Sequence, residues 1–176
     1  MRFKLLSAVC VSVVLGSCFS IKPQASKTGK HLWEDFYVSP EVMQYFIKPL
    51  SFKNDDLNID IDTDFTFRNV SDSVTVNYSI YSKTDYIKPN VVTIANELTQ
   101  VSVNSPKTIV SENVQKKHKL RQTGKISLNE FTELTKNNIW TITILNENLK
   151  TIAYSSQKTR ENIEKININL MIPLTQ

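Results

Sequence analysis

Strict alternation of apolar and polar residues is the feature that most limits the fold of this chain. In residues 57–67 every second position is apolar or Thr, and Asp60, Asp62 and Asp64 lie between them. The same period of two returns in residues 74–80. This period is typical of a strand with one face buried and one face exposed. The sequence therefore predicts two half-buried strands.

Residues 69–72 (NVSD) separate the two strands and have turn chemistry, so the strands are predicted to form a hairpin. A shift of one residue would expose the aromatic side chains, which specifies the register strongly. The predicted register pairs Phe67 with Val74, Phe65 with Val76, Thr63 with Tyr78 and Ile61 with Ile80, and it places Asp64 opposite Asn77 and Asp62 opposite Ser79.

The three aspartates of the first strand invite comparison with a calcium-binding loop. An EF-hand loop beginning at Asp60 needs Gly at its sixth position and Glu at its twelfth, where this chain has Phe65 and Ser71. We therefore interpret Asp60, Asp62 and Asp64 as a solvated acidic strand face and predict no metal site.

Further strands are expected along the chain. Short β-rich runs occupy residues 91–95, 98–103 and 108–110. A second hairpin sets Trp140, Ile142 and Ile144 against Ile152 and Tyr154, with Leu145 opposite Leu149 across a three-residue turn at 146–148. This register brings Trp140 beside Tyr154 and Ile142 beside Ile152. Alternation in residues 166–174 predicts a closing strand, after a charged segment (157–165) with room for a helical turn.

Two segments carry helix signals. Ser127 and Glu130 form a capping box, Ile126 can pack on Phe131, and an apolar stripe follows, so one short helix is predicted over residues 127–136. Near the beginning of the domain, Ser39-Pro40-Glu41 fits a helix start. An extended conformation fits that second segment nearly as well, and both alternatives stay open.

These patterns predict a mainly β fold, an antiparallel β-sandwich of seven to nine strands with one short helix. Alternation, rather than continuous apolar runs, argues against a parallel α/β sheet. An immunoglobulin-like or transthyretin-like topology is compatible with the pattern, although neither would imply a function.

The first 17 residues are predicted to be a signal peptide. Arg2 and Lys4 precede an apolar core of about 11 residues, too short for a transmembrane helix, which needs about 20. Leu15-Gly16-Ser17-Cys18 follows and resembles the lipobox of bacterial lipoproteins. The resemblance implies that Cys18 becomes the first mature residue and carries acyl chains such as palmitate. An ordinary signal cleaved before Phe19 is the alternative.

The predicted lipoprotein has a polar tether at residues 18–30 and a single domain at residues 31–176. A domain of this size is large enough for a substantial core. By resemblance to lipoproteins of two-membrane bacteria, Phe19 after the Cys implies the outer membrane, with the domain facing the periplasm.

Composition limits the chemistry that is available. Both cysteines, Cys10 and Cys18, lie in the signal region, so no disulfide or thiolate nucleophile is expected in the domain. The two histidines, His31 and His118, sit in no hydrolase motif, and we predict neither an enzyme nor a cofactor. Without Arg2 and Lys4 the chain has 19 basic and 17 acidic residues, which predicts no affinity for nucleic acid.

One dense basic run spans residues 116–125. On a strand, Lys117, Lys119 and Arg121 would share one face, where they could contact an anionic partner. A solvated face is the simpler interpretation, because no aromatic residues interleave with the basic ones.

The expected function is that of a lipid-anchored envelope protein that acts as a binding or assembly module, with a subunit of a larger envelope machine as one form of such a module. Its expected partners are the membrane, through Cys18, and an envelope protein. A small-ligand carrier that uses the sandwich interior is the alternative, and a hydrolase is the less favoured third.

Overall fold

The computed structural model of the protein describes residues 32–83, 88–104, 106–146 and 149–175. The predicted signal peptide, tether, Cys18 and His31 lie outside these residues. The described strands are β1 (Trp33–Ser39), β2 (Val42–Asn54), β3 (Ile59–Arg68), β4 (Ser73–Ser82), β5 (Val91–Ala95), β6 (Gln100–Asn104), β7 (Lys107–Val114), β8 (Lys117–Ser127), β9 (Thr141–Asn146) and β10 (Leu149–Ser155). The helices are α1 (Leu128–Thr135), α2 (Gln157–Ile166), a π-helical turn (Asn167–Met171) and α3 (Ile172–Thr175).

The ten strands form one antiparallel sheet that curls into a half-barrel. Its order is β6-β5-β9-β10-β2-β3-β4-β8-β7, and β1 pairs with the first half of β2. Strands β10 and β2 meet at only two residue pairs, Tyr154 with Lys53 and Ser155 with Phe52. The prediction of a mainly β, antiparallel fold is confirmed. The described strands form one continuous sheet rather than the two separate sheets of a sandwich.

The β3–β4 hairpin has the predicted register at every pair, from Phe67 with Val74 to Ile61 with Ile80. Burial along β3 alternates as expected, with Phe65 fully buried and Asp64 half-buried. Leu57 is an exception, because it precedes the strand and is 41% exposed.

The predicted register of the second hairpin is wrong by one residue. Asn146 pairs with Leu149, so two residues rather than three separate the paired positions. The shift turns Ala153 and Thr151 into the core and leaves Tyr154 57% exposed. These small side chains fit opposite the bulky Ile142 and Ile144 of β9, whereas the predicted pairing would have set large side chains against each other on the inside.

The predicted closing strand at residues 166–174 is also wrong, since this segment is helical. The prediction of a single short helix fails with it. Ser156 caps α2 by accepting a hydrogen bond from the Thr159 amide at 3.2 Å. The buried residues Thr159, Ile163, Ile166 and Leu170 recur at helical spacing and pack on the core.

The segment at Ser39-Pro40-Glu41 adopts the extended alternative rather than the helical one. Strands β1 and β2 form a hairpin here, and Glu41 takes a left-handed conformation (φ 68°) in the turn. Pro49 lies at an irregularity of β2 between Ile47 and Leu50, which is where a strand tolerates a residue without an amide hydrogen.

The capping box that predicts α1 is present. The Glu130 amide donates to the Ser127 hydroxyl at 3.1 Å, and the Ser127 amide donates to the Glu130 carboxylate at 2.7 Å. The helix buries Phe131 and Leu134 under the half-barrel. The Phe131 ring lies 4.7 Å from that of Phe65, and Trp140 packs edge-on against both rings. This aromatic cluster is the centre of the core.

Candidate functional site

Oppositely charged side chains line the outer face of the sheet, which is formed by the side chains of β3, β4 and β8 that point away from the core. Strand β3 contributes Asp60, Asp62 and Asp64, and β8 contributes Lys117, Lys119 and Arg121. Strand β4 lies between them and contributes mostly short polar side chains. An acidic strand and a basic strand therefore lie two positions apart.

Ion pairs cross β4 and join the two charged strands. Arg121 donates to Asp64 at 2.6 Å and to the hydroxyl of Ser79, on the intervening strand, at 3.0 Å. Lys117 forms an ion pair with Asp60. The spacing of β3 and β8 matches the reach of a Lys or Arg side chain, so the two strands complement each other.

The structure brings the predicted basic patch together but gives each member an acidic partner. Lys119 pairs with Glu112 of the edge strand β7 at 3.1 Å, and Lys117 and Arg121 pair with β3. Their side chains remain 24–30% exposed. The contact with an anionic partner stays a prediction, and the adjacent carboxylates offset much of the positive charge that it would use.

The three aspartates have separate partners. The hydroxyl of Ser51 donates to Asp62 at 2.7 Å, and the amide of Asn77 donates to Asp64 at 2.7 Å. Among the residues that the structure describes, no three His, Cys, Asp or Glu side chains are grouped so as to hold a metal ion. The outer face is thus a set of cross-strand pairs rather than a purely solvated acidic surface.

A polar groove of about 330 Å³ opens where this face meets the β7–β8 turn. Lys53, Asp60 and Tyr81 are neighbours on three adjacent strands and line it. The remaining lining residues are Ser51, Phe52, Asp62, Val114, Gln115 and Lys117. The groove presents both signs of charge, a phenol and the apolar side chains of Phe52 and Val114, which suits a partner segment that carries polar and apolar groups.

The two-residue turn beside this groove has the left-handed backbone that a tight hairpin favours. Val114 pairs with Lys117, and the intervening Gln115 and Lys116 both have positive φ, at 49° and 64°. Two-residue hairpin turns adopt this conformation because its twist matches that of the flanking strands. Gln115 lines the groove, so the turn belongs to the candidate site.

A second groove of about 390 Å³ shares Lys53 with the first. It is lined by Lys53, Asn54, Asp55, Asp56, Tyr154, Ser155 and Ser156, at the short junction between β2 and β10. Sequence reasoning missed Lys53 and Tyr81 as groove residues. The available signal was the alternation in β2, where Ser51 and Lys53 are exposed on either side of the buried Phe52.

Three polar side chains outside the grooves also have defined surroundings: Tyr78, Tyr45 and His118. Tyr78 is buried and donates to Gln122, itself buried, at 3.3 Å. Burial raises the pKa of Tyr78 well above its usual value, so the phenol stays a hydrogen-bond donor. Burial and, secondarily, the charge of Asp35 raise the pKa of Tyr45. His118 lies 3.2 Å from the hydroxyl of Ser111.

No family model, curated protein or solved structure matches this chain. Within the described part of the chain, no helix is both long and apolar enough to cross a membrane.

Proposed function

We propose that the protein is a lipid-anchored envelope protein whose domain acts as a binding or assembly module, of which a subunit of a larger envelope machine is one form. The observation that carries this proposal is the position of Leu15-Gly16-Ser17-Cys18 directly after an apolar core preceded by Arg2 and Lys4. An acylated Cys18 would hold the domain at a membrane, because two or more acyl chains anchor durably where one does not.

The packed interior favours a binding module over a small-ligand carrier. Trp140, Phe131 and Phe65 contact one another at the centre of the half-barrel, and all three are at most 1% exposed. The described grooves lie on the surface and are lined mainly by charged and polar residues. A partner would therefore meet the outer face and its grooves rather than the interior.

We infer that the half-barrel works as a two-layer, sandwich-like body, with β6-β5-β9-β10 as one layer and β2-β3-β4-β8-β7 as the other. The short β10–β2 junction supports this division. An immunoglobulin-like or transthyretin-like topology remains a hypothesis.

Metabolic labelling with radioactive palmitate tests the anchor. We expect label in the wild-type protein and none in Cys18→Ala, which should be released from membranes or keep its signal peptide. Cys10→Ala is the matched control, because it removes the other thiol without touching the lipobox. A wild-type protein that takes up no label would contradict the proposal.

Membrane fractionation tests the location. In a two-membrane host, Phe19 after the lipidated Cys predicts recovery with the outer membrane. Replacing Phe19 with Asp should move the protein to the inner membrane. Recovery of the labelled wild-type protein from the inner membrane would refute the location while leaving the lipid anchor in place.

A further inference from the structure

The tip of the β1–β2 hairpin exposes a group of apolar side chains at one end of the sheet. We define the hairpin patch as Phe36, Tyr37, Val38, Phe46 and Val70. Their exposed fractions are 41% for Phe36, 64% for Tyr37, 45% for Val38, 36% for Phe46 and 62% for Val70, which lies in the β3–β4 turn. Exposure of several large apolar groups together marks an interaction site.

The patch covers both sides of the hairpin. Phe36 packs edge-on against Phe46 on the outer face, with ring centroids 5.2 Å apart. Tyr37 is the next residue of the strand and points to the opposite side. A flat protein surface could cover only one of these sides, whereas a fluid lipid interface can surround the tip.

The tip is held in place before any contact. The side chain of Asn69 accepts from the Met43 amide and donates to the Glu41 carbonyl, both at 2.9 Å, and the Asn69 amide donates to the Met43 carbonyl at 3.1 Å. These bonds fasten the β3–β4 turn, which carries Val70, to the β1–β2 turn. The patch is therefore preformed, and little ordering of the backbone would accompany binding.

The charged residues near the tip do not favour an anionic surface. Lys48 pairs with Glu34 at 3.1 Å, and the Arg68 guanidinium donates to Gln44 at 2.9 Å. Glu41 is exposed in the turn itself. Attraction to the patch must come from its apolar and aromatic groups, so a neutral lipid interface fits it better than an acidic one.

The predicted tether brings a bilayer within reach of the tip. Fourteen residues lie between Cys18 and Trp33, and a flexible chain of this length spans about 20 Å on average. Strand β1 covers about 17 Å from Trp33 to Val38 at about 3.3 Å per residue. The two lengths match, so a bilayer holding Cys18 lies within reach of the tip.

We propose that the hairpin patch sits in the interfacial layer of the membrane that holds the acyl chains of Cys18. Aromatic side chains favour this layer, where an apolar ring and a polar hydroxyl such as that of Tyr37 are both accommodated. The inference rests on the proposed lipid anchor. It adds an orientation, because the anchor alone would leave the domain free to tumble.

The orientation has a consequence for the candidate site. Strand β2 runs from the tip at Val42 to the grooves at Lys53, a distance of about 35 Å along the strand. With the patch in the lipid interface, Lys53, Asp60 and Tyr81 face away from the membrane. The membrane contact thus presents the polar grooves to partners in the aqueous compartment.

Tryptophan fluorescence in vesicles tests the contact. The lipidated full-length protein, purified from membranes, is reconstituted into phosphatidylcholine vesicles with and without brominated acyl chains. We expect the added emission of Tyr37→Trp to fall at least about twofold with brominated lipid, as for an aromatic residue at the interface. Wild-type protein supplies the background emission of its two tryptophans, Trp33 and Trp140.

Tyr154→Trp is the matched control. Tyr154 has a similar exposure of 57% but pairs with Lys53, at the far end of β2. Its added emission should not change with brominated lipid. Equal quenching at positions 37 and 154, or no quenching at position 37, would overturn the proposal. Cross-linking of position 37 to a partner protein in native membranes would do the same.

A further variant separates insertion from mere proximity. Phe36→Ser and Val38→Ser, added to Tyr37→Trp, remove two apolar groups of the patch. The loss of the Phe36–Phe46 ring contact should lower the melting temperature somewhat, so quenching is measured well below it. Quenching at position 37 should be lost while the protein stays vesicle-bound. Retained quenching would mean that the tether alone brings position 37 to the lipid, against the proposal.

Mass spectrometry of Cys18 keeps this inference distinct from the proposed function. If Cys18 carries no acyl chain, the lipid-anchor proposal fails, and the full chain with Cys10→Ala is attached through the Cys18 thiol to a maleimide phospholipid. The same comparison of positions 37 and 154 then decides the hairpin contact by itself.

Discussion

Individual residues on the outer face carry roles that their neighbours in sequence do not reveal. Asp64 and Arg121 are 57 residues apart, yet Arg121 reaches across β4 to bond both Asp64 and Ser79. Neutralising the basic patch would leave several carboxylates without cations. Replacing Lys117, Lys119 and Arg121 together is therefore expected to lower stability as well as any affinity for a partner.

A double-mutant cycle on Arg121→Gln and Asp64→Asn measures this pair. The side chains are 30% and 17% exposed, so we expect a coupling free energy of about 1 kcal/mol in chemical denaturation, at the upper end for surface pairs. The coupling should fall in 1 M salt. The control is a second cycle that combines Lys125→Gln, at an exposed position of β8, with Asp64→Asn, and it should show no coupling. Strictly additive effects would show that the pair contributes nothing.

At the scale of elements, two segments have patterns that fit more than one structure. Residues 166–174 alternate as a strand would, but Ile166 and Leu170 are also four residues apart and share a helix face. The Ser156 cap and the buried Thr159 and Ile163 extend that face upstream. The helix forms because one continuous apolar stripe then packs on the core, which a short terminal strand would not supply.

Alanine substitutions distinguish the helix from the strand. Leu170→Ala should destabilise the domain by about 2–5 kcal/mol, since Leu170 is 4% exposed, whereas Ile168→Ala should cost less than about 0.5 kcal/mol, since Ile168 is 52% exposed. Thermal or denaturant unfolding measures both. Similar losses at the two positions would be expected of a strand and would contradict the helix.

In the molecule as a whole, the two ends of the half-barrel approach each other where β6 packs against β8. A Cβ atom on Gly124 would lie 2.2 Å from Cγ1 of Val103, which is fully buried. Val103 is β-branched and stiff, so it cannot move aside without strain. Gly124 is therefore required by packing across the half-barrel rather than by its own backbone conformation.

The substitution Gly124→Ala should destabilise the protein by about 1–3 kcal/mol through overpacking. Val103→Ala removes the opposing methyl groups and should relieve part of this cost, so the double variant should lose less stability than the sum of the two single variants. Urea denaturation of the four proteins measures the difference. Additive losses would indicate that β6 and β8 do not meet at this point.

Local signals in the sequence are enough to predict some of the elements. Alternation and a turn between matching runs fixed every pair of the β3–β4 hairpin, and the capping box located α1, because neighbouring residues alone decide these features. The sequence also predicted that Lys117, Lys119 and Arg121 share one face if their run forms a strand, as it does in β8. The residues that carry the lipobox resemblance are likewise contiguous.

Contacts between segments distant in the chain could not be predicted from local patterns. The register of β9 with β10, the helical C-terminal segment, the pairing of Arg121 with Asp64 and the position of Lys53 in the groove all depend on packing between segments distant in the chain. In each case the local pattern was compatible with more than one arrangement, and the arrangement that fills the core or pairs the charges is the one observed.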